Sequence, residues 1–264
     1  MSVDRRAFLL GIGATATCLS MPAAAASGPA TARVDLQTLL SIIGSPTGGV
    51  TWVQSIAHVL EMAPKHPPRV LFAELAVVEC RIRTATAAEI ARAGVAGPHT
   101  FHVSAVGTAR ALEAGTHRRL DRFTHPSTGR TSAVKPRRWE SSTLITDDAW
   151  ISLDDAPPMK RMRAPAQVAV GGDEWYVFHS AASDGLDAGT SGSAVESTGW
   201  RVRPTELGQP RVSAGYNHVC LSSVGLRPWL GYEEDSPVQL LENATGRKVF
   251  ERRELAPELA ALLG

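Results

Sequence analysis

The feature that most constrains the fold of this 264-residue chain is the alternation of apolar and charged residues in short stretches. Residues 78–83 alternate a valine, a cysteine and an isoleucine with one glutamate and two arginines. Such a period of two gives a strand one apolar face and one charged face. Clusters of turn-forming residues separate the strand-like segments, which favours antiparallel hairpins. The sequence therefore predicts a mostly β (α+β) fold, an antiparallel β-barrel or cup with a few short helices.

Three hairpins are predicted around turn-forming clusters. They join residues 120–124 with 130–134, 167–170 with 174–178, and 239–241 with 248–250. Gly, Asn, Asp and Pro in the intervening segments adopt the backbone conformations that tight turns require. Residues 181–199 are rich in Ser, Gly, Asp and Thr and show no periodicity, so they are predicted to be a long segment without regular structure.

Helices are predicted at two places and are one of two alternatives at a third. Residues 86–93 begin with a capping box, in which Thr86 is the N-cap and Glu89 follows three positions later. Residues 257–263 begin with a proline, which is well suited to the first helical position. Residues 36–43 have apolar residues at helical spacing, yet the turn-forming cluster after them fits a hairpin equally well. Both alternatives stay open there.

The N-terminal segment has the pattern of a twin-arginine export signal. Arg5 and Arg6 are adjacent, an aromatic residue follows two positions later, and a glycine-diluted apolar core leads to four alanines. The sequence therefore predicts a signal peptide at residues 1–26 that is removed near Ala25 or Ala26. The twin-arginine translocase is the partner expected during export.

Two other interpretations of the N-terminal segment fit the residues less well. A membrane anchor needs about 20 apolar residues, whereas the apolar run 8–19 is shorter and contains glycines and threonines. A lipid on Cys18 usually requires a preceding Gly or Ala, and Thr17 stands there instead. The expected location is the periplasm, with residues 27–264 as a single β-rich domain and no stable membrane span.

The charge balance argues against a nucleic-acid partner. The chain has 27 Lys and Arg against 26 Asp and Glu. Removal of the signal takes away Arg5, Arg6 and Asp4, so the mature chain is formally neutral. A nucleic-acid-binding domain shows a basic excess or a basic face instead.

The cysteines and histidines predict neither a cofactor nor a metal site. The oxidising periplasm permits a disulfide between Cys80 and Cys220, and two unlinked buried thiols are an equal alternative. Neither a CxxC nor a haem-attachment, dinucleotide or phosphate-loop motif is present in the sequence. His99 and His102 would point to opposite faces of a strand, which disfavours a shared metal.

Several short motifs resemble an uncharacterised bacterial family, the domain of unknown function numbered 1838. Residues 123–130 are similar to its W-x-N-P-x-T-G-E turn, and residues 227–231 and 246–249 are similar to its C-terminal P-W-L and G-x-K signature. Members of this family often carry twin-arginine signals. The resemblance implies a β-rich fold and favours the hairpin alternative over residues 38–60.

Three residues of the turn motif depart from the family pattern. Phe123 replaces Trp, His125 replaces Asn and Arg130 replaces Glu. If the family uses that Asn and Glu, this member has a changed function. The resemblance implies no established activity and no catalytic residues for this chain.

The leading functional hypothesis places a small-molecule pocket on one face of a strand at residues 212–222. Alternation puts Tyr216 and His218 on one face of that strand, and puts Trp175 and His179 on one face of another. If the sheet curls, such a face lines its interior, and aromatic residues with a few polar groups are typical of a ligand pocket.

The predicted function is binding or cofactor-free conversion of a small apolar or aromatic molecule in a β-barrel cavity. His218 and His179 would act as general acid or base because the ordinary pKa of histidine lies near neutrality. Tyr216 would orient a substrate oxygen. The full candidate set is His218, His179 and Tyr216 for catalysis, and Trp175, Tyr176 and Trp229 for ligand binding.

Two functions from other classes stay open. One is a non-catalytic envelope scaffold with exposed apolar patches. The other is a serine hydrolase, because residues 189–193 resemble the nucleophile loop of chymotrypsin-like proteases and place Ser191 as the nucleophile. His58 and Asp121 would complete that triad, although the residues around His58 lack the usual flanks.

Overall fold

A computed structural model describes residues 32–33, 35–45, 48–62, 67–95, 99–126, 129–154, 161–163, 166–170, 174–184, 193–222 and 239–263. The helices are α1 (Leu36–Ile43), α2 (Ala87–Ala93) and α3 (Pro257–Ala260), and 3₁₀ turns lie at Pro204–Glu206, Arg252–Glu254 and Ala261–Leu263. The strands are β1 (Ala32–Arg33), β2 (Val50–Met62), β3 (Arg69–Thr84), β4 (Phe101–Glu113), β5 (Arg122–Thr124), β6 (Thr131–Ala133), β7 (Arg137–Ile145), β8 (Ala149–Ser152), β9 (Arg161–Arg163), β10 (Ala166–Val170), β11 (Glu174–Asp184), β12 (Ser193–Val202), β13 (Gly215–Ser222) and β14 (Gln239–Val249).

The long strands form one antiparallel sheet. Its order is β10-β11-β12-β13-β14-β2-β3-β4-β7-β8-β9, and β5 pairs separately with β6. Strands β10 to β14 form one meander, and strands β2 to β4 with β7 to β9 form a second. The two meanders join where β14 pairs with β2. The sheet curls into a half-barrel, in which β9 contacts β11. The predicted mostly β, cup-shaped antiparallel fold is confirmed.

Helix α1 lies on the concave face of the sheet. Its buried residues Leu36, Leu39 and Leu40 pack in one cluster with residues from β12 to β8, including Trp200 and Ile145. Strands so far apart in the sheet reach one helix only where the sheet curves around it. This cluster therefore identifies the concave face.

The hairpin alternative for residues 38–60 is wrong. Asp35 caps α1 by accepting a hydrogen bond from Thr38 N at 2.9 Å, and β2 begins only at Val50. An apolar stripe at helical spacing buries more of its surface against a curved sheet than a hairpin edge would, because all of its large residues face one side. Burial against the concave face therefore favours the helix over the hairpin.

The other predicted elements had mixed outcomes. The hairpins β5–β6 and β10–β11 are confirmed, and α2 and α3 begin where predicted. The third hairpin is wrong, because residues 239–249 form one continuous strand. Strand β14 forms backbone hydrogen bonds with β13 along one edge and with β2 along the other. These hydrogen bonds keep its turn-forming residues in an extended conformation. The segment 181–199 is strand as far as Asp184 and again from Ser193, and residues 185–192 lie outside the described ones.

Cys80 and Cys220 are unlinked and buried. Cys80 lies on β3 and Cys220 on β13, and strands β14 and β2 lie between them. Three strand spacings separate such positions by about 14 Å along the sheet, whereas a disulfide needs Cα atoms within about 7 Å. The alternative with two free thiols is correct.

Helix α3 and the residues around it cover the convex face. Leu255 and Leu259 pack against Val77 and Val249, and Gln54 Oε1 accepts a hydrogen bond from the backbone N–H of Ala256 at 2.9 Å. In the part of the chain that the structure describes, no helix has the length and apolar character needed to cross a membrane.

The contribution of the α2 capping box to stability can be tested by substitution of Thr86. Thr86 Oγ1 accepts a hydrogen bond from Glu89 N at 3.3 Å, and a Glu89 carboxylate oxygen accepts one from Thr86 N at 2.8 Å. We expect Thr86→Ala to lower the free energy of unfolding by about 1 kcal/mol, because one helix N–H loses its acceptor. Urea denaturation checks this value, and Thr86→Ser, which keeps the hydroxyl, is the control. An equal loss in both variants would contradict the capping role.

Candidate functional site

Aromatic side chains of β12 and β13 form a wall on the concave face. The rings of Trp200 and Tyr216 meet edge to face with centroids 5.1 Å apart. The ring of His218 lies parallel to that of Tyr216 at a centroid distance of 6.5 Å. His218 Nδ1 is 3.0 Å from the Thr198 hydroxyl oxygen, which orients the imidazole. Strand alternation places all four side chains on one face.

Small residues form the floor beside this wall. In the register, Tyr216 and His218 lie opposite Gly246 and Ala244 of β14. Positions that pair directly on successive strands form a rung across the sheet. The rungs of Tyr216 and His218 continue onto β2, β3 and β4, where the small residues are Ser55, Ala57, Ala76, Ala109 and Ala111. These positions carry short side chains, and we refer to this central part of the concave face as the recess.

A buried ion pair lies within the floor, because Glu74 occupies the position between Ala57 and Ala111. Glu74 continues the rung of His218, and its side chain is 2% exposed. Arg137 Nε and Nη2 donate to its two carboxylate oxygens at 3.2 and 2.5 Å, a bidentate pairing. Burial raises the pKa of Glu74, and the Arg137 guanidinium opposes that rise. The ion pair places two fixed charges among the small residues of the floor.

A tryptophan covers Arg137 because a glycine makes room for it. The Arg137 guanidinium carbon lies 4.4 Å from the centre of the Trp139 ring, a cation–π contact. Trp139 pairs directly with Gly107, and a Cβ atom at residue 107 would lie 2.0 Å from the Trp139 Cε2 atom. A side chain at residue 107 would therefore displace the ring. The sequence gives no local sign of this contact, because its partners lie 32 positions apart.

The register shows where the predicted site residues lie. His179 is paired with Thr198, so its position shares the rung and face of His218. Trp175 is paired with Val202 on that same face, whereas the position of Tyr176 alternates to the opposite face. Trp229 lies outside the described residues, as does Ser191 of the hydrolase alternative. His58 of that alternative alternates to the convex face, next to Ala57 of the floor.

A serine–histidine pair that the sequence did not reveal lies on β4 and β7. His102 Nε2 is 2.6 Å from Ser142 Oγ, and Glu89 Oε1 is 4.0 Å from the same nitrogen. A nucleophilic relay requires the acid on the other ring nitrogen, so this arrangement lacks the geometry of a catalytic triad. Among the residues described, no three His, Cys, Asp or Glu side chains are grouped to hold a metal ion.

A buried lysine lies where α1 ends. Lys248 is 4% exposed, and its Nζ donates to the carbonyl oxygens of Ser41 and Gly44 at 2.6 and 3.2 Å. Burial lowers the pKa of Lys248 to about 7. Burial also raises the pKa of the nearby Cys80 thiol to about 11. A thiol of such high pKa is a poor nucleophile near neutral pH, so Cys80 serves packing.

Comparison of the sequence with family models, and of the chain with curated proteins and solved structures, gave no match. The resemblance to the domain of unknown function numbered 1838 therefore stays a prediction that rests on its short motifs.

Proposed function

We propose that the protein binds a small aromatic or apolar molecule in the recess of its concave face. The observation that supports this most directly is the oriented imidazole of His218. It is held by Thr198 and lies beside the rings of Tyr216 and Trp200. Aromatic side chains with a few convergent polar groups are the usual lining of a ligand site. Export through the twin-arginine route would place this activity in the periplasm.

His218 would form the polar contact with the ligand. Its Nδ1 is engaged with the Thr198 hydroxyl, so Nε2 is the nitrogen that would meet a ligand hydroxyl or carbonyl. A neutral imidazole can donate or accept a hydrogen bond there. The proposal therefore includes cofactor-free acid–base conversion, in which Tyr216 would orient the ligand oxygen and His179, on the same rung, would assist.

The scaffold alternative has less support. It depends on exposed apolar patches, and within the described ranges Val70, 38% exposed, is the large apolar residue that stands out. One such residue does not form a patch. The hydrolase alternative depends on Ser191, which lies outside those ranges.

Binding of 2-naphthol, an aromatic alcohol, tests the proposed site. We expect saturable binding to the wild type, followed by tryptophan fluorescence, and a roughly 10-fold weaker affinity in His218→Gln. Loss of one hydrogen bond to the imidazole accounts for that factor, since about 1.4 kcal/mol is tenfold. Naphthalene, which lacks the hydroxyl, should bind both proteins equally.

The matched control for this test is His99→Gln, because His99 is an exposed histidine outside the recess. It should leave the affinity for 2-naphthol unchanged. Absence of saturable binding to the wild type, or equal affinity in wild type and His218→Gln, would refute the assignment of the recess.

A further inference from the structure

A second pocket lies at the end of the sheet where β12 and β14 finish and β13 begins. It is a surface cleft of about 750 Å³, lined by the following residues, among others: Arg201, Arg203, Ser213, Arg247, Phe250 and Glu254. We propose that this pocket binds a small organic anion through a phosphate or carboxylate group. The site is separate from the recess around His218, so either proposal can fail without the other.

Two arginines face each other across a glycine in this pocket. Arg201 of β12 and Arg247 of β14 are both paired with Gly215 of β13, so the three positions lie on one rung and one face. The backbones of β12 and β14 are about 10 Å apart, two strand spacings. Because Gly215 has no side chain, β13 places no side chain between the two arginines.

The arginines are placed to act together. Arg201 reaches over the glycine, since a Cβ atom at residue 215 would lie 3.5 Å from Arg201 Cβ and 3.9 Å from Arg201 Nε. Arg247 is exposed, and within the described part of the chain it forms no ion pair. Guanidinium groups bind phosphate and carboxylate through parallel N–H donors. An oxyanion between the two strands would therefore meet donors from both sides.

The carboxylates of the pocket are already engaged. Glu206 accepts a hydrogen bond from Ser213 N at 3.0 Å and pairs with Arg203 at 3.8 Å. Glu254 accepts hydrogen bonds from Phe250 N and Glu251 N at 2.7 and 2.9 Å. Those backbone hydrogen bonds hold the pKa of Glu254 below its usual range, so it stays ionised and in place. Neither acid pairs with Arg247 in the described part of the chain.

The size and lining of the pocket indicate an organic anion. Pockets of about 300–1,000 Å³ accommodate small organic ligands, which far exceeds the space that one inorganic ion occupies. Phe250 supplies an apolar wall, and the Arg211 guanidinium carbon lies 5.3 Å from the centre of its ring. The ligand would place its anionic group between the arginines and its organic part toward Phe250.

Titration calorimetry with phenyl phosphate, citrate and inorganic phosphate tests this inference. We expect phenyl phosphate or citrate to bind more tightly than inorganic phosphate, and the tighter of the two identifies the preferred anionic group. Arg201→Gln and Arg247→Gln should each weaken that binding at least 10-fold. Higher salt should weaken binding to the wild type, because screening reduces charge attraction at an exposed site.

Two further variants sharpen the test. Arg138→Gln removes an arginine that is 70% exposed and pairs with Glu140 elsewhere on the sheet, so it should leave the affinity unchanged. Gly215→Leu keeps both arginines but fills the gap between them, so it should abolish binding in a protein whose circular dichroism melt shows that it is folded. The inference is overturned if neither organic anion binds, if inorganic phosphate binds equally tightly, or if Arg138→Gln weakens binding as much as Arg247→Gln does.

Discussion

Replacement of Arg137 by alanine is expected to lower the free energy of unfolding by about 3–5 kcal/mol. The change leaves the Glu74 carboxylate, 2% exposed, without the guanidinium that donates to both of its oxygens. An unpaired buried charge costs several kcal/mol. The variant also removes the cation–π contact with Trp139. Urea denaturation of wild type and variant measures the loss.

Two controls separate the buried charge from other effects. The double variant Glu74→Leu with Arg137→Met should recover most of the stability, because it removes both charges and keeps the apolar volume. Arg138→Ala should cost less than about 1 kcal/mol, since Arg138 and its partner Glu140 are 70% and 72% exposed. A loss for Arg137→Ala as small as that for Arg138→Ala would contradict the role of the buried pair.

Between pH 7 and pH 9 the free energy of unfolding is expected to rise by about 2 kcal/mol because of Lys248. Burial lowers the pKa of Lys248 from 10.5 to about 7 in the folded chain. In this range the unfolded chain therefore binds a proton that the folded chain has released, so raising the pH favours the folded state. A neutral amine still has two N–H donors, enough for the carbonyl oxygens of Ser41 and Gly44.

Urea denaturation at pH 7 and pH 9 in wild type and Lys248→Met isolates this contribution. The variant should lose the rise, because its thioether does not titrate. The buried Cys80 thiol keeps its proton to about pH 11, whereas an ordinary thiol is half ionised near pH 9. Cys80 therefore lowers the free energy of unfolding by only about 0.4 kcal/mol between pH 7 and pH 9, which is much less than the rise expected from Lys248. A rise of the same size in Lys248→Met would assign the pH dependence to other groups.

Elements that depend on contacts a few residues apart could be predicted from the sequence. The capping box that begins α2 spans three positions, and the alternation in β3 spans six, so short windows contain all of the information. The hairpin predicted within residues 239–250 failed for the opposite reason. Its central residues favour a turn, but the hydrogen bonds of β14 to two neighbouring strands outweigh that local preference.

The candidate site could be predicted only in part. Alternation correctly placed Tyr216 and His218 on one face of β13, and the register puts the position of His179 on the same rung. The ion pair between Glu74 and Arg137 spans 63 positions, and the contact of Lys248 with Ser41 spans 207. Periodicity within one segment has no information about such partners.

The amino-acid pattern was therefore sufficient for the fold class, for the faces of individual strands and for helices α2 and α3. The tertiary structure decided which strands are neighbours, that α1 packs on the concave face, and that Cys80 and Cys220 stay apart as free thiols. The physical reason is the range of the interactions. Side-chain alternation and helix capping act within a few residues, whereas pairing order and burial depend on segments that only the folded sheet brings together.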